Sequence, residues 1–236
     1  MDNIKTLFIK EMRSYFNSPI AYIVISVFLL MSGWFFTSSL FLQGQSSMDS
    51  FMSIAPLFFT FFLPAITMKL FAEELRLGTI EVLTTLPLKD NEIIIAKYLS
   101  AVSVLAISIG LTLIFPLTLV IIGKIDIGEI FCSYLGLLFT GAAFASIGLF
   151  ASSITRNQII AFIVSFVLCF MLFIAGKTLG IVPPGLINIV EYISIDSHFN
   201  NISKGIIDSR DLVYYSSIIG FFYVLTLSWF SSRKWK

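Results

Sequence analysis

Long uncharged stretches separated by short charged ones dominate this chain. Residues 14–48 carry no charge, with an apolar centre over 20–42. Further uncharged runs cover 50–68, 98–123, 130–155, 157–176 and 212–232. A helix needs about 20 mostly apolar residues to cross a bilayer, so each run is predicted to span once. The expected spans are 20–42, 52–70, 97–123, 130–153, 158–177 and 212–232. The run 178–190 is shorter and holds Pro183, Pro184 and Gly185. It is therefore expected to be a re-entrant or capping segment, part of an outer cap over 181–208, and not a seventh span. Ahead of the first span, Ile4, Leu7, Phe8, Met12, Tyr15 and Phe16 recur at three- and four-residue spacing, which predicts an interfacial amphipathic helix. Ser18-Pro19 is expected to break it.

Composition agrees with this pattern and excludes a soluble fold. Hydrophobic residues make up 57% and charged residues 12%, with a mean hydropathy of +0.95, against about 45–50% and about 25% in soluble domains. The fold class expected is an all-α integral membrane protein surrounded by lipid. The net charge of +1 supplies no field to attract nucleic acid. Charge distribution says more than charge sum. With six spans, the N-terminus, the second and fourth connections and the C-terminus share one side. They hold Lys5, Lys10, Arg13, Lys69, Arg76, Lys89, Lys97, Arg156, Arg233, Lys234 and Lys236, whereas the other side has Lys124, Lys177, Lys204 and Arg210. The excess of basic residues makes both termini cytoplasmic. Without an apolar core before Ile20 or a small-residue cleavage site, a cleaved secretory signal is not expected.

The second connection is too long and too charged to be a mere link. From Lys69 to Lys97 it reads KLFAEELRLGTIEVLTTLPLKDNEIIIAK. Leu75, Val82, Leu83 and Leu86 fall at helical spacing, Gly78 can bend the helix and Pro87 can end it. Asp90 offers an N-cap for the third span, with Glu92 in its first turn. A compact helical element over 73–88 is expected against the membrane surface, exposing Glu73, Glu74, Arg76 and Glu81 to a soluble partner.

The run MKLFAEELRLGTIEVLTTLPL closely resembles the signature after the second span of ABC-2 type transport permeases: an acidic pair, a basic residue, Gly-Thr, an acid and a Leu-Pro ending. IKEMRSYFNSPIAYIV is similar to that family's amphipathic first helix, and YLGLLFTGAAFASIGLFASSITRNQIIAF resembles its fourth and fifth spans. SHFNNISKGIIDSRDLVYY resembles a stretch in the branch that includes gliding-motility and nitrous-oxide reductase maturation permeases. The resemblance implies a six-span permease in a bacterial cytoplasmic (inner) membrane. It would work as a dimer, with an identical copy or a related permease, and each copy would be bound by a cytoplasmic ABC ATPase that holds the ATP. An extracytoplasmic accessory protein is a further implied partner. The coupling element that meets the ATPase would include Glu73, Glu74, Arg76, Gly78, Thr79, Glu81 and Pro87. The permease chain itself would have no catalytic residue and no cofactor.

Other features carry less. Gly176-Lys177-Thr178 looks like the end of a phosphate-binding loop, but the position of its first glycine is Met171 and the context is an apolar helix. In the fourth span Gly141, Ala145, Gly148 and Ser152 form a small-residue stripe, expected to let helices approach within one subunit. Pro56, Pro64 and Pro116 can kink their spans. His198 lies near Glu191, Asp196, Asp208 and Asp211 without metal-ligand spacing, and Cys132 and Cys169 are expected to be small buried hydrophobes, so no metal site is expected. The absence of a mid-membrane acid or base and of an inverted repeat argues against an ion-coupled carrier. The main rival reading is a structural or assembly anchor of a motility or maturation complex that uses the ATPase for force.

Overall fold

The computed structural model describes residues 2–42, 47–85, 87–122, 126–183, 185–206 and 208–232. Leu86, Lys124, Pro184, Arg233, Lys234 and Lys236, which the sequence reading uses, lie outside the described residues. Regular structure among the described residues is helical throughout: α1 (Asp2–Phe16), α2 (Pro19–Leu42), α3 (Asp49–Thr67), α4 (Lys69–Leu77), α5 (Thr79–Thr85), α6 (Asp90–Leu111), α7 (Ile114–Ile122), α8 (Ile127–Ile154), α9 (Gln158–Lys177), α10 (Ile187–Ile193), α11 (Ile195–Ser203) and α12 (Ser209–Ser232). Six stretches are long and apolar enough to cross a membrane: Pro19–Phe41, Asp49–Leu77, Asp90–Ile121, Ile127–Ile154, Gln158–Lys177 and Ser209–Ser232. The protein is an all-α, multi-pass membrane protein.

Helix α8 is the hub, packing on α3, α6, α9, α11 and α12. Its sequence allows this because Gly136, Gly141, Ala143, Ala145, Gly148, Ala151 and Ser152 keep its surface low, and lipid offers no competing hydrophobic drive. Helices α2, α9 and α12 lie at the perimeter, with Trp34, Ile159 and Phe221 exposed. Several hydroxyl groups inside the bundle are paired. Tyr215 and Thr140 share a hydrogen bond at 2.9 Å, and the Tyr98 hydroxyl donates to the Ala142 carbonyl at 3.2 Å.

The prolines act differently in different spans. Pro56 and Pro64 sit inside an unbroken α3. At Pro116 the third span breaks between α6 and α7. Proline has no N–H for the Thr112 carbonyl four residues back. That carbonyl accepts instead from the Phe115 N–H at 2.9 Å and from the Tyr134 hydroxyl of α8 at 3.0 Å. The break is thus fastened to the hub.

The two ends of the bundle differ. At one end α1, α4 and α5 gather with the C-terminal part of α12, where Phe71 and Phe230 rings lie 5.6 Å apart. At the other, α10 and α11 cap the bundle, with Phe199 and Ile202 seated on Gly136 and the Ser133 hydroxyl donating to the Ser203 carbonyl at 3.1 Å.

Candidate functional site

The second span continues past the expected limit at residue 70. Met68 is helical (φ −53°, ψ −32°) and donates to the Pro64 carbonyl at 2.9 Å, so α3 passes into α4 with little interruption. The rod ends at Gly78, whose φ of 72° is left-handed and open to glycine at no steric cost. Thr79–Thr85 then forms the short helix α5. The sixth helix begins at Asp90 with extended Lys89 in the cap position, and the Lys89 N–H donates to Glu92 Oε2 at 3.0 Å. Asp90 is therefore in the first turn, one place beyond the cap expected of it, because Lys89 and not Asp90 takes the non-helical backbone conformation.

Around the turn, Arg76, Leu77, Gly78, Thr79, Glu81 and Pro87 are exposed, while Glu73 is half-buried. Glu74 points inward. Its side chain is 14% exposed, with Oε1 3.1 Å from Lys10 Nζ and Oε2 2.9 Å from Lys97 Nζ, the second contact an ion pair without hydrogen-bond alignment. Lys97, 2% exposed, also donates to Glu11 Oε1 at 3.1 Å and to the Leu70 carbonyl at 2.7 Å, and lies 5.2 Å from the Phe71 ring. One buried ammonium thus joins α1, α4 and α6. Beside it is a polar cavity of about 150 Å³ lined by Glu11, Tyr15, Lys69, Glu73 and Glu74 among others. Lys69 Nζ sits 4.3 Å over the Tyr15 ring, and the Tyr15 hydroxyl donates to the Ile66 carbonyl at 3.0 Å. Burial pulls the Lys10 pKa down, but the carboxylates of Glu74 and Glu11 outweigh it, so the pKa is raised. Burial pushes that of Tyr15 well up. Lys10, Lys69 and Lys97 balance Glu11, Glu73 and Glu74, which is how so many ionised groups remain partly buried without a net charge.

The profile of ABC-2 family transporter proteins matches residues 6–230. The chain belongs to the ABC-2 transporter family. No curated protein matches it. As an ABC-2 family member it is a membrane permease component of an ABC system, in a family whose members work with an ABC ATPase subunit. The match runs from within α1 to near the end of α12, so the charge cluster and the turn at Gly78 are both parts of the family domain.

Sequence reasoning missed the core of the cluster in this permease. Lys97 counts in the sequence only as a basic residue of the second connection, and Glu11 is given no role there. A signal was present in each case. Glu11 falls at helical spacing from Leu7, Phe8 and Tyr15, and Lys97 follows the apolar run Ile93, Ile94, Ile95, Ala96. Leu70, Phe71 and Glu74 likewise share one helical face.

The stripe on α8 makes its contacts within one chain. A methyl group at Gly141 would meet Leu105 Cδ2 of α6 at 2.3 Å, and one at Gly148 would meet Thr67 Oγ1 of α3 at 2.0 Å. Ala145 and Ser152 are fully buried. At the far end, His198 contacts Asp211, and among the described residues no group of three or more histidine, cysteine or acidic side chains converges to hold a metal.

Proposed function

We propose that this permease belongs to an ATP-driven exporter of a bacterial cytoplasmic membrane, with both termini cytoplasmic and two permease copies served by separate ATPase subunits that bind the ATP. The observation supporting a coupled machine is the rod from Asp49 to Leu77, which ends in an exposed turn and is tied by Lys97 to α1 and α6. An ATPase gripping Arg76, Leu77, Thr79 and Glu81 pushes on the end of a transmembrane lever. Closing of the ATPase pair then biases the bundle between two states in proportion to its differential affinity for them. A chain acting as an anchor shares this device, so ATP-dependent movement of a substrate in sealed vesicles distinguishes transport from force generation.

Docking is tested at Arg76, an exposed residue outside the charge cluster. Arg76→Glu is expected to reduce co-purification of the ATPase by tens- to thousands-fold, corresponding to about 2–5 kcal/mol for a desolvated charged contact, with the thermal stability of the permease unchanged. Co-purification at wild-type levels would remove Arg76 from the interface. Native mass spectrometry of the wild-type complex is expected to show two permeases and two ATPases.

Topology follows from the distribution of basic residues. In a background without Cys132 and Cys169, a cysteine at exposed Asn201 is expected to react from outside with a membrane-impermeant thiol reagent, and one at Lys89 is not. Labelling of the opposite faces would overturn the orientation.

A further inference from the structure

The cap is fastened to the spans beneath it through polar contacts. Lys177 Nζ at the end of α9 pairs with Asp196 Oδ2 of α11 at 2.9 Å. The Tyr214 hydroxyl of α12 donates to the Ile193 carbonyl. Between these, His198 of α11 is buried, its ring stacked on Tyr214 with centroids 3.9 Å apart and edge-on to Tyr192 at 5.9 Å. Its Nδ1 lies 2.5 Å from Asp211 Oδ1 and its Nε2 lies 3.0 Å from the Tyr192 carbonyl oxygen.

We propose that His198 and Asp211 form a proton-operated latch, which holds the cap closed while the pair carries one extra proton and releases it when that proton leaves as pH rises. The argument is an inventory of hydrogens. A backbone carbonyl only accepts, and so does an ionised carboxylate, whereas a neutral imidazole has one N–H to donate. Both contacts of His198 are satisfied in only two ways. Either the ring is an imidazolium against a carboxylate, or a neutral ring donates from Nε2 while a protonated Asp211 donates to Nδ1. Each arrangement holds one proton more than a neutral histidine beside an ionised aspartate. Removing that proton sets a lone pair against an oxygen in a buried site. It also strands Asp211, which is 2% exposed and whose Oδ2 already has no hydrogen-bond partner.

The surrounding charges leave this arrangement in place. On α9, Lys177 is committed to Asp196. On α10, Glu191 and Tyr192 are exposed. On α11, Asp196 also accepts from Asn200 at 3.2 Å. On α12, Tyr214 is used by Ile193, Tyr215 by Thr140, and Arg210 is exposed, its N–H donating to Asp208. Asp49 of α3 and Glu129 of α8 are exposed. Once the cap lifts, water pairs with each group in turn, and nothing in the open state holds the extra proton on the pair. The closed state binds more protons than the open one, and its share therefore falls with rising pH, by at most about tenfold per pH unit for one proton.

The test is backbone hydrogen exchange of segment 194–203 in the full-length protein in lipid nanodiscs, with rates corrected for the intrinsic pH dependence of exchange. Protection in the wild type is expected to fall at least about tenfold between about pH 6 and about pH 9. Asp211→Asn supplies an amide N–H to Nδ1 and leaves neutral His198 to donate to Tyr192, so it keeps both contacts without the extra proton. That variant is expected to lack the fall, its protection at about pH 6 being equal to that at about pH 9 or up to about fivefold lower. His198→Phe combined with Asp211→Leu keeps the stack on Tyr214 and leaves neither member of the pair to titrate, and is expected to lose the pH step. Lys177→Met is expected to lower protection by the same factor at both pH values and to retain the step. A flat wild-type profile, a wild-type pH step surviving in Asp211→Asn or in the double variant, or an Asp211→Asn cap that is open at both pH values would overturn the latch.

Discussion

Lys97→Met is expected to be among the most damaging single substitutions in the protein. The ammonium is 2% exposed and neutralises Glu11 and Glu74, which are only 10% and 14% exposed. Removing one partner of a buried ion pair leaves the remaining charge uncompensated, at a cost of about 3–5 kcal/mol. The slight exposure of both carboxylates places this case near the lower figure. A loss of about 3 kcal/mol corresponds to a fall in melting temperature on the order of 10 °C for a chain of this size, measurable by thermal unfolding in detergent. Lys10→Met is the comparison. Lys10 contacts the same two carboxylates but is 53% exposed, and solvent screening limits its contribution to about 0–1 kcal/mol. The triple variant Glu11→Gln, Glu74→Gln, Lys97→Met removes the charges together and is expected to recover more than half of the loss, because no ionised group is then left stranded. A melting temperature for Lys97→Met matching that of Lys10→Met would show that the cluster is solvated.

This cluster changes how charge reversals near the turn are to be interpreted. Glu74 belongs to the fastening between α1, α4 and α6, so its substitution perturbs the lever before it perturbs any docking surface. Glu73 lies between the two roles, half-buried and lining the same cavity as Lys69. Arg76 is exposed and lies outside the cavity, so its substitution is the one expected to test the proposed docking separately from the fastening. The separation matters for function. A variant that keeps the ATPase but loses movement of substrate points to the fastening, and one that loses the ATPase points to the turn.

The six spans, the break at Pro19 and the bend at Gly78 were legible because each rests on local chemistry: an uncharged run of sufficient length, a missing N–H, a residue able to adopt positive φ. The extension of the second span to Leu77 was less so. Lys69, Glu73 and Glu74 mark an aqueous boundary in the sequence, but in the fold Lys69 lies over the Tyr15 ring of α1 and Glu74 pairs with Lys10 of α1 and Lys97 of α6, which the sequence pattern does not bring together. Non-local pairing of this kind leaves only a faint trace, a charged residue at an apolar helical position, as with Glu11 among Leu7, Phe8 and Tyr15. The same holds at the cap. His198 and Asp211 are 13 residues apart with no ligand spacing, and only the fold sets both ring nitrogens against acceptors. The stripe on α8 was readable as small residues, but its facing partners Leu105 and Thr67 were not, since they lie on other spans.

The stripe yields a prediction in which one substitution, glycine to alanine, takes opposite signs at two sites. Within a helix, alanine is favoured over glycine by about 0.8–1.0 kcal/mol. Gly220 of α12 is exposed at the perimeter and a methyl group there meets nothing within 4 Å. Gly220→Ala is therefore expected to raise stability by up to about 1 kcal/mol. At Gly148 the added methyl group would lie 2.0 Å from Thr67 Oγ1, 2.9 Å from Thr67 Cβ and 3.1 Å from Ser165 Oγ. Two of these atoms belong to the α3 side chain that donates to the Leu63 carbonyl at 2.8 Å, so relief requires α3 and α8 to move apart. Overpacking of this kind costs about 1–3 kcal/mol and outweighs the gain in helix propensity. Because α3 continues into the lever at α4, separation of the two helices is expected to lower coupled ATPase activity as well as melting temperature. Thr67→Ala removes the 2.0 Å contact but leaves Cβ, so the double variant is expected to recover part of the loss and not all of it. Equal melting temperatures for Gly148→Ala and Gly220→Ala would mean that α3 and α8 are not packed this closely.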